Sequence, residues 1–222
     1  MIKIAIDGPG GAGKSTVAKA VAAKLGIVYV DTGALYRTIG LYVKSVDVDP
    51  RDRAGVVACL KDISIELRYE DGKQCVYLNG TDHGDEIRTP EMSMYASAVS
   101  AIPEVRAFLL DTQRDIARKN SVIMDGRDIG TVILPDADLK IFLTASEECR
   151  ARRRYDELIA KGKDVRYEDV LAEMNQRDTQ DASREVAPAT AAADAILLDN
   201  TELTFDGSVD AIIELARKTG KI

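Results

Sequence analysis

The sequence predicts an α/β fold, in which a parallel sheet carries helices on both faces. Its first apolar run, MIKIAID, leads through a glycine-rich loop into a helix-forming segment. Short apolar runs recur later, each bounded by helical or turn-like sequence, as in repeated strand–helix units. One central stretch alternates polar and apolar residues instead, which indicates an inserted antiparallel subdomain.

The core elements follow in chain order. After the first strand, a helix is predicted over about Lys14 to Leu25, and a short strand, IVYV, leads to Asp31. A second helix is predicted from about Ala34 to Lys44. Further strands are predicted at Val122–Asp125, Leu139–Leu143 and Ala195–Leu198.

The alternating stretch covers residues 63–89. Residues 70–73, EDGK, join its two runs, and their Asp-Gly pair is a strong hairpin signal. A second turn is predicted at Asn79-Gly80, and helices over about Pro90–Lys119. We therefore expect a core built from residues 1–62 and 120–222, with residues 63–119 inserted as a subdomain.

Composition and charge argue against several classes of function. Of the 222 residues, 45% are hydrophobic and 30% charged, as in an ordinary globular enzyme. The formal net charge of −7 argues against broad adhesion to nucleic acid or anionic lipid. No apolar run reaches the roughly 20 residues that a membrane helix needs, and the amino terminus does not resemble a signal peptide. We expect a monomer without nucleic-acid or membrane partners.

The thiols and the single imidazole favour a reduced cytoplasmic protein. Cys59, Cys75 and Cys149 are widely scattered, without the spacing of a zinc site or a redox pair. His83 is the one histidine, which leaves few soft ligands for a transition metal. We expect His83 to lie at the surface, in a turn of the inserted subdomain.

The strongest chemical signal is the sequence GPGGAGKS, which begins at Gly8 and fits the phosphate-binding loop G-x-x-x-x-G-K-[ST]. Its backbone N–H groups would hold phosphate oxygens beside the positive end of the following helix. Lys14 would reach the β- and γ-phosphates, and Ser15 would ligate Mg²⁺. The alternative is a glycine-rich turn that merely starts a helix. The residues predicted to bind a nucleoside triphosphate are Gly8, Pro9, Gly10, Gly11, Ala12, Gly13, Lys14, Ser15 and Thr16.

Charged residues also follow other predicted strands. Asp125 ends the apolar run VIMD, and Arg127 and Asp128 come directly after it, where ligand crevices of α/β folds form. The alternative is a solvated loop with a strand-ending aspartate. Asp7, which ends the first strand, is a second carboxylate candidate near a metal, or it caps a turn.

The segment DTGALYR opens the second predicted helix. Asp31 or Thr32 is expected to cap that helix, which is the simpler interpretation. Because the amino end of the helix should lie near the first loop, Arg37 would then face a second phosphate group.

Residues 150–154, RARRR, place four arginines on one predicted helix. Arg150, Arg153 and Arg154 share a face at spacings of three and four. An exposed, salt-bridged surface is one interpretation, because acidic residues lie nearby. The other is a mobile set of cations that neutralises charge on a transferred phosphoryl group, with Lys161-Gly162-Lys163 as the hinge of a lid.

The next helix carries an apolar stripe of Tyr167, Val170, Leu171 and Met174. Continuing the stripe brings charged residues onto the same face, and charges there are costly unless they are paired or bind a ligand. The alternative is that the helix has already ended. The charged residues are Arg177, Asp181 and Arg184.

These segments together resemble the bacterial-type cytidylate kinases, within the nucleoside monophosphate kinase group. They span nearly the full chain in the family's order: IDGPGGAGKST, DTGALYR, GTDHGDEIRT, MDGRDIGTVILPDA, FLTAS followed by RARRR, and QRDTQDASREVAP. The resemblance implies a P-loop core, an inserted subdomain that binds the monophosphate and a short helical lid over about residues 146–180. It also implies ATP and Mg²⁺ as cofactors, and transfer of the γ-phosphoryl group of ATP to CMP or dCMP.

The resemblance also assigns roles to residues. Arg37, Arg127 and Arg184 would hold the acceptor phosphate. Arg177 would act near that phosphate and Asp181 near the ribose hydroxyls. Ser97, Arg106 and Asp128 would recognise cytosine. Thr32 stands where serine is also common and keeps the hydroxyl. The residues expected to act in catalysis are Lys14, Arg127, Arg153, Arg177 and Arg184.

Three other functions are alternatives to this one. A kinase for UMP, AMP or another small acceptor differs only in the shape of the acceptor pocket. A GTP-binding switch protein would need a guanine-recognition motif such as N-K-x-D, which the sequence lacks. A nucleic-acid-dependent ATPase would need an extended basic surface with aromatic residues, which the acidic composition does not favour.

Overall fold

The computed structural model describes residues 1–70 and 73–222. The chain forms two compact units: Met1–Tyr29 with Ala117–Ile222, and Val30–Ile116. The domain boundaries expected from the sequence, with an insert at 63–119, stay a prediction. The predicted Asp71-Gly72 turn lies outside the described residues.

The described residues form eight strands and eight α-helices. The strands are β1 (Lys3–Asp7), β2 (Val28–Asp31), β3 (Ile65–Glu70), β4 (Lys73–Leu78), β5 (Thr81–Asp82), β6 (Val122–Asp125), β7 (Leu139–Thr144) and β8 (Ile196–Asp199). The helices are α1 (Lys14–Leu25), α2 (Thr32–Ser45), α3 (Arg53–Cys59), α4 (Pro90–Ser100), α5 (Pro103–Lys119), α6 (Glu147–Ala160), α7 (Tyr167–Ala182) and α8 (Phe205–Lys218). Short 3₁₀ turns cover Leu60–Asp62 and Gly84–Arg88, and a π-helical turn covers Ile129–Ile133.

Strands β1, β6, β7 and β8 of the first unit belong to a five-stranded sheet in the order β2-β6-β1-β7-β8. Strand β1 pairs in parallel with β6 and β7, and β7 pairs in parallel with β8. The predicted fold class is confirmed: a parallel sheet is flanked by helices, and a separate antiparallel sheet follows the order β3-β4-β5. Among the described residues, no helix is both long and apolar enough to span a bilayer.

The core of the first unit explains why its strands consist of apolar runs. Ile4 and Ile6 of β1 and Ile141 of β7 are almost fully buried in one cluster with α1 and α8, to which Val17 and Ile212 belong. Burying each such side chain contributes roughly 1.5–3 kcal/mol, so the sheet centre is the most stable part of this unit. Its carboxyl end thereby has a rigid support.

Strand β8 lies at the edge of this sheet and is more exposed than its neighbours. It occupies Ile196–Asp199, one residue later than predicted. Ile196 and Leu197 are exposed, whereas Leu198 of the same strand packs against the core cluster. Its apolar composition therefore predicts the strand but not its burial.

The second unit has its own core beneath the antiparallel sheet. Helices α2 and α4 approach closely, and a Cβ on Gly40 would lie 2.8 Å from the Cβ of Tyr95. The predicted turn at Asn79-Gly80 is present between β4 and β5, with both residues at positive φ. Asp31 caps α2 by accepting a hydrogen bond from the backbone N–H of Ala34 at 2.9 Å, as the simpler interpretation predicted.

Candidate functional site

The loop between β1 and α1 is shaped by glycine. Gly8, Gly11 and Gly13 have φ of 144°, 73° and 84°. A Cβ on Gly8 would lie 2.0 Å from the carbonyl oxygen of Leu143, and one on Gly11 would lie 2.8 Å from that of Arg150. Only glycine fits both the backbone conformation and the space. Backbone that alternates in this way is typical of a concave row of N–H groups suited to an anion.

Lys14, directly after the last glycine of the loop, is held in place. Lys14 is buried, and its Nζ donates to the carbonyl oxygen of Pro9 at 2.7 Å. Burial lowers the pKa of Lys14 well below its usual value, and the nearby Arg127 lowers it further. An anion at the loop would favour the charged lysine, because it would replace the solvation that burial removes.

Ser15 and Asp125 form the oxygen-rich part of the site. The Oγ of Ser15 donates to Oδ2 of Asp125 at 2.7 Å, and Oδ1 of Asp125 accepts from the hydroxyl of Tyr29 at 2.7 Å. Hydroxyl and carboxylate oxygens are the ligands that Mg²⁺ prefers, usually with substrate phosphates completing the shell. No cluster of three or more acidic, histidine or cysteine side chains suited to a metal occurs in the part of the chain that the structure describes. The donor set therefore fits Mg²⁺ bound together with a phosphate ligand.

Asp7 occupies the end of β1 but faces the backbone of the π-helical turn. Its carboxylate accepts the N–H groups of Ile129 at 2.7 Å and Gly130 at 2.8 Å. Burial raises the pKa of Asp7 to about 6, although these two hydrogen bonds act in the opposite direction. The contacts favour the turn-capping interpretation of Asp7.

Three arginines surround the buried carboxylate of Asp181 on α7. Its oxygens lie 3.0 Å from Nε of Arg127, 3.2 Å from Nη2 of Arg184 and 3.9 Å from Nε of Arg177. Burial lowers the pKa of Arg127, but the charge and hydrogen bond of Asp181, together with the charges of Asp178 and Asp125, leave the pKa above its usual value. Guanidinium groups bind phosphate oxygens well, so a cluster of three of them is suited to a phosphate ligand.

Helix α7 continues far enough to carry part of this cluster. It ends at Ala182, so Arg177 and Asp181 lie on the helix and Arg184 follows its end. The alternative in which the helix stops before Arg177 is wrong. The prediction that Arg184 continues the apolar stripe is also wrong, because the helix ends before this residue.

The arginines of α6 do not act as one cationic face. Arg150 is buried, and its Nη1 donates to the carbonyl oxygen of Gly10 and to Asp178. Arg153 donates to Oδ1 of Asn200 at 3.0 Å and to its backbone oxygen at 2.9 Å. The others bind elsewhere: Arg154 to Glu157 and Arg152 against the ring of Tyr167. The catalytic role of Arg153 stays a prediction.

In the second unit, Asp31 is the centre of a further charged group. Its Oδ2 accepts from Nη2 of Arg37 at 2.9 Å and from Nη1 of Arg88 at 3.3 Å. Burial raises the pKa of Asp31, but Arg37 and Arg88 outweigh that effect and hold the pKa below its usual value. Nε of Arg37 is buried without a hydrogen-bond partner among the described residues. A buried donor of this kind is typical of a ligand site.

The residues predicted to recognise a base are also buried in this unit. Ser97 lies on α4 and Arg106 on α5, and both side chains are almost inaccessible. Nη1 of Arg106 donates to the carbonyl oxygen of Ser100 at 3.2 Å, and its guanidinium lies 5.6 Å from the ring centre of Tyr36. Thr32, in the first turn of α2, is buried as well. In the first unit, Asp128 is buried directly before the π-helical turn.

Comparison with known proteins identifies the family. The sequence model of the cytidylate kinase family matches residues 4–218. The chain belongs to the cytidylate kinase family.

Relatives agree over the full length. A cytidylate kinase of Caldicellulosiruptor bescii is 50% identical over 220 residues, which cover 99% of this chain and 97% of the relative. That of Fervidobacterium nodosum is 49% identical over 220 residues, with coverage of 99% and 98%. A crystal structure of an uncharacterized protein from Eubacterium ventriosum has a TM-score of 0.56 at 17% identity, covers 98% of both chains and supports the fold alone.

Some polar contacts of this cytidylate kinase family member were not predicted from its sequence. Arg88 lies in the segment GTDHGDEIRT, which is part of the family resemblance, but no role was predicted for its arginine. Gln74 pairs with the backbone of Asp31 through two hydrogen bonds of 2.7 and 3.1 Å. Asp178 and Asn200 both bind the phosphate loop. The one available signal for Asn200 was its position two residues after the apolar run Ala195–Leu198.

Proposed function

We propose that the protein transfers the γ-phosphoryl group of ATP to the 5′-phosphate of CMP or dCMP, giving ADP and CDP or dCDP. The full-length match to the cytidylate kinase family carries this proposal. It is supported by a phosphate loop whose glycines have the backbone conformation that an anion-binding loop requires.

In the proposed reaction, residues 8–16 bind the triphosphate of ATP. Lys14 contacts the β- and γ-phosphates, and its charge offsets the negative charge that develops during transfer. Ser15, with Asp125 beside it, is suited to hold Mg²⁺. When bound, Mg²⁺ would neutralise the triphosphate oxygens and favour departure of ADP.

The acceptor phosphate is proposed to bind Arg37, Arg127, Arg177 and Arg184. In the first unit, the grouping of three guanidinium groups around Asp181 supports an anion-binding role for Arg127, Arg177 and Arg184. In the second unit, the buried Nε of Arg37 is a donor available to a ligand. Asp181 would lie near the ribose hydroxyls and Thr32 near the phosphate.

Recognition of cytosine is proposed to depend on Ser97, Arg106 and Asp128. A buried carboxylate accepts well from an exocyclic amino group, and a guanidinium donates well to a ring nitrogen and carbonyl. All three side chains are buried, so a base whose polar edge did not match theirs would be desolvated without gaining hydrogen bonds. That cost is the physical basis for rejecting other bases.

No side-chain nucleophile is needed, since an oxygen of the acceptor phosphate attacks the γ-phosphorus in line. Arg153 would help to neutralise the transferred group once the lid, residues 146–180, closes. Exclusion of water by that closure would limit hydrolysis of ATP. Gly162, at φ 70° between α6 and α7, is the proposed hinge position.

A coupled ADP-release assay tests the proposal, with ATP, Mg²⁺ and each of CMP, dCMP, UMP, AMP and GMP in turn. We expect rapid turnover with CMP and dCMP and slow turnover with the other three. Rapid turnover with AMP or GMP would keep the kinase but reject the roles of Arg106 and Asp128. Absence of acceptor-dependent ADP release with all five would overturn the proposal.

A further inference from the structure

The backbone of the phosphate loop is anchored from outside as well as by its glycines. When successive N–H groups turn inward to form an anion site, carbonyl oxygens turn away and need donors of their own. Three such oxygens each accept a side-chain hydrogen bond: Pro9 from Lys14 at 2.7 Å, Gly10 from Arg150 at 2.9 Å and Ala12 from Asn200 at 3.0 Å. Two of these donors come from elements remote in sequence.

The peptide groups of Gly10 are held on both sides by the helices after β7. Its N–H donates to Oδ1 of Asp178 on α7 at 3.0 Å, while its carbonyl oxygen accepts from Arg150 on α6. Arg150 and Asp178 also form an ion pair with each other. The carboxylate thus fixes the orientation of this N–H, and Arg150 neutralises the negative charge that Asp178 places beside the loop.

Asn200 holds the other end of the loop from the end of β8. Its side chain is buried, and Nδ2 donates to Ala12 while Oδ1 accepts from Arg153. Its own N–H donates to the carbonyl oxygen of Thr144 at 2.8 Å, which continues the β7–β8 ladder. Each polar atom of the side chain therefore has one defined partner, and the amide orientation is set by those partners.

We propose that Asp178 and Asn200, assisted by Arg150, are positioning residues that hold the phosphate loop in its nucleotide-binding conformation before ATP arrives. The proposal rests on the proposed function, because it concerns the same triphosphate site. Neither Asp178 nor Asn200 needs to touch the nucleotide. Because they order loop residues 9–12 in advance, ATP binding does not have to offset the entropic cost of ordering this loop.

The sharpest test is Asn200→Asp, which keeps the shape of the side chain and the acceptor for Arg153. It replaces the donor to Ala12 by an oxygen, so two acceptors face each other across about 3 Å. Asp178→Asn is the second variant, since it keeps an acceptor for the N–H of Gly10 but loses the ion pair with Arg150. Glu173→Gln, an exposed carboxylate on the same helix, is the matched control.

Binding of ATP and, separately, of CMP is measured by titration calorimetry on the whole protein, with urea unfolding of each variant. We expect ATP to bind at least roughly tenfold more weakly to both variants, the effect of losing a charge-assisted or buried hydrogen bond. CMP binding should stay within about twofold of the wild type, and Glu173→Gln should match the wild type for both ligands.

The outcomes separate this proposal from the proposed function. Unchanged ATP affinity in Asn200→Asp and Asp178→Asn, with tight binding to the wild type, would overturn the positioning role. An equal loss of ATP and CMP affinity would also overturn it, because it would indicate general structural damage. Failure of the wild type to bind ATP would instead reject the triphosphate site itself.

Discussion

Asp7 shows how one residue at the carboxyl end of the sheet can serve the fold rather than the chemistry. It is the last residue of the apolar strand β1, where a carboxylate near a metal was one expectation. Instead, its oxygens accept the N–H groups of Ile129 and Gly130 and so support the turn after Asp128. Its burial makes ionisation costly, which gives stability a predictable dependence on pH.

The folded protein should lose stability as Asp7 ionises. Because its pKa rises from the ordinary 3.8 to about 6, the folded chain binds more protons than the unfolded chain between these values. We expect this residue to lower the free energy of unfolding by about 2 kcal/mol as pH rises from 4 to 7. Urea unfolding of the wild type and Asp7→Asn across this range checks it.

The difference between the two proteins isolates Asp7 from other titrating groups. Asp7→Asn should be the less stable protein at pH 4, where it lacks one acceptor, and should recover relative to the wild type as pH rises. Asp206→Asn, at an exposed site, is the control and should show no such trend. Parallel curves for the wild type and Asp7→Asn would contradict the burial of an ionisable group.

Helix α7 carries three charged residues of the candidate site in the first unit, Arg177, Asp178 and Asp181. Asp178 accepts a hydrogen bond from the phosphate loop and Asp181 forms ion pairs with arginines, while Val170 on the same helix is buried. The inward face of the helix therefore carries both packing residues and candidate ligand-binding residues. Burying the charged residues has a desolvation cost. The two ends of α7 should differ sharply in their importance for turnover.

The arginines beyond each end of α7 provide a matched pair of variants. Arg184 has a 5% exposed side chain beside Asp181, whereas Arg166 has a 77% exposed side chain paired with Asp169. We expect Arg184→Ala to reduce kcat with ATP and CMP by roughly a hundredfold, as loss of one preorganised donor does. Arg166→Ala should stay close to the wild type, since exposed ion pairs contribute little. Wild-type turnover in Arg184→Ala would reject the role of Arg184.

Across the whole molecule, local patterns predicted the elements well. Helix α1 occupies Lys14–Leu25 and β6 occupies Val122–Asp125, as their apolar periodicity and flanking glycines indicated. The phosphate loop was predictable for the same reason, because its motif is contiguous. These features depend on residues that are close in sequence.

Contacts between distant segments were not predictable in the same way. Asn200 reaches Ala12 across 188 positions, and its pairing depends on how far β8 extends along β7. The arginines of α6 were expected on one face, yet Arg150 turns to Gly10 and Arg154 to Glu157. Helical spacing gives the direction of a side chain, but the partner is set by whichever element packs there.

The most direct test of the central claim follows the phosphoryl group itself, using ATP radiolabelled in its γ-phosphoryl group together with Mg²⁺ and CMP. Chromatography of the products distinguishes transfer to the acceptor from hydrolysis. We predict that the label appears in CDP, in a molar amount equal to the ADP formed, and that omission of CMP leaves most of the label in ATP. Label released as inorganic phosphate, with none in CDP, would contradict the account.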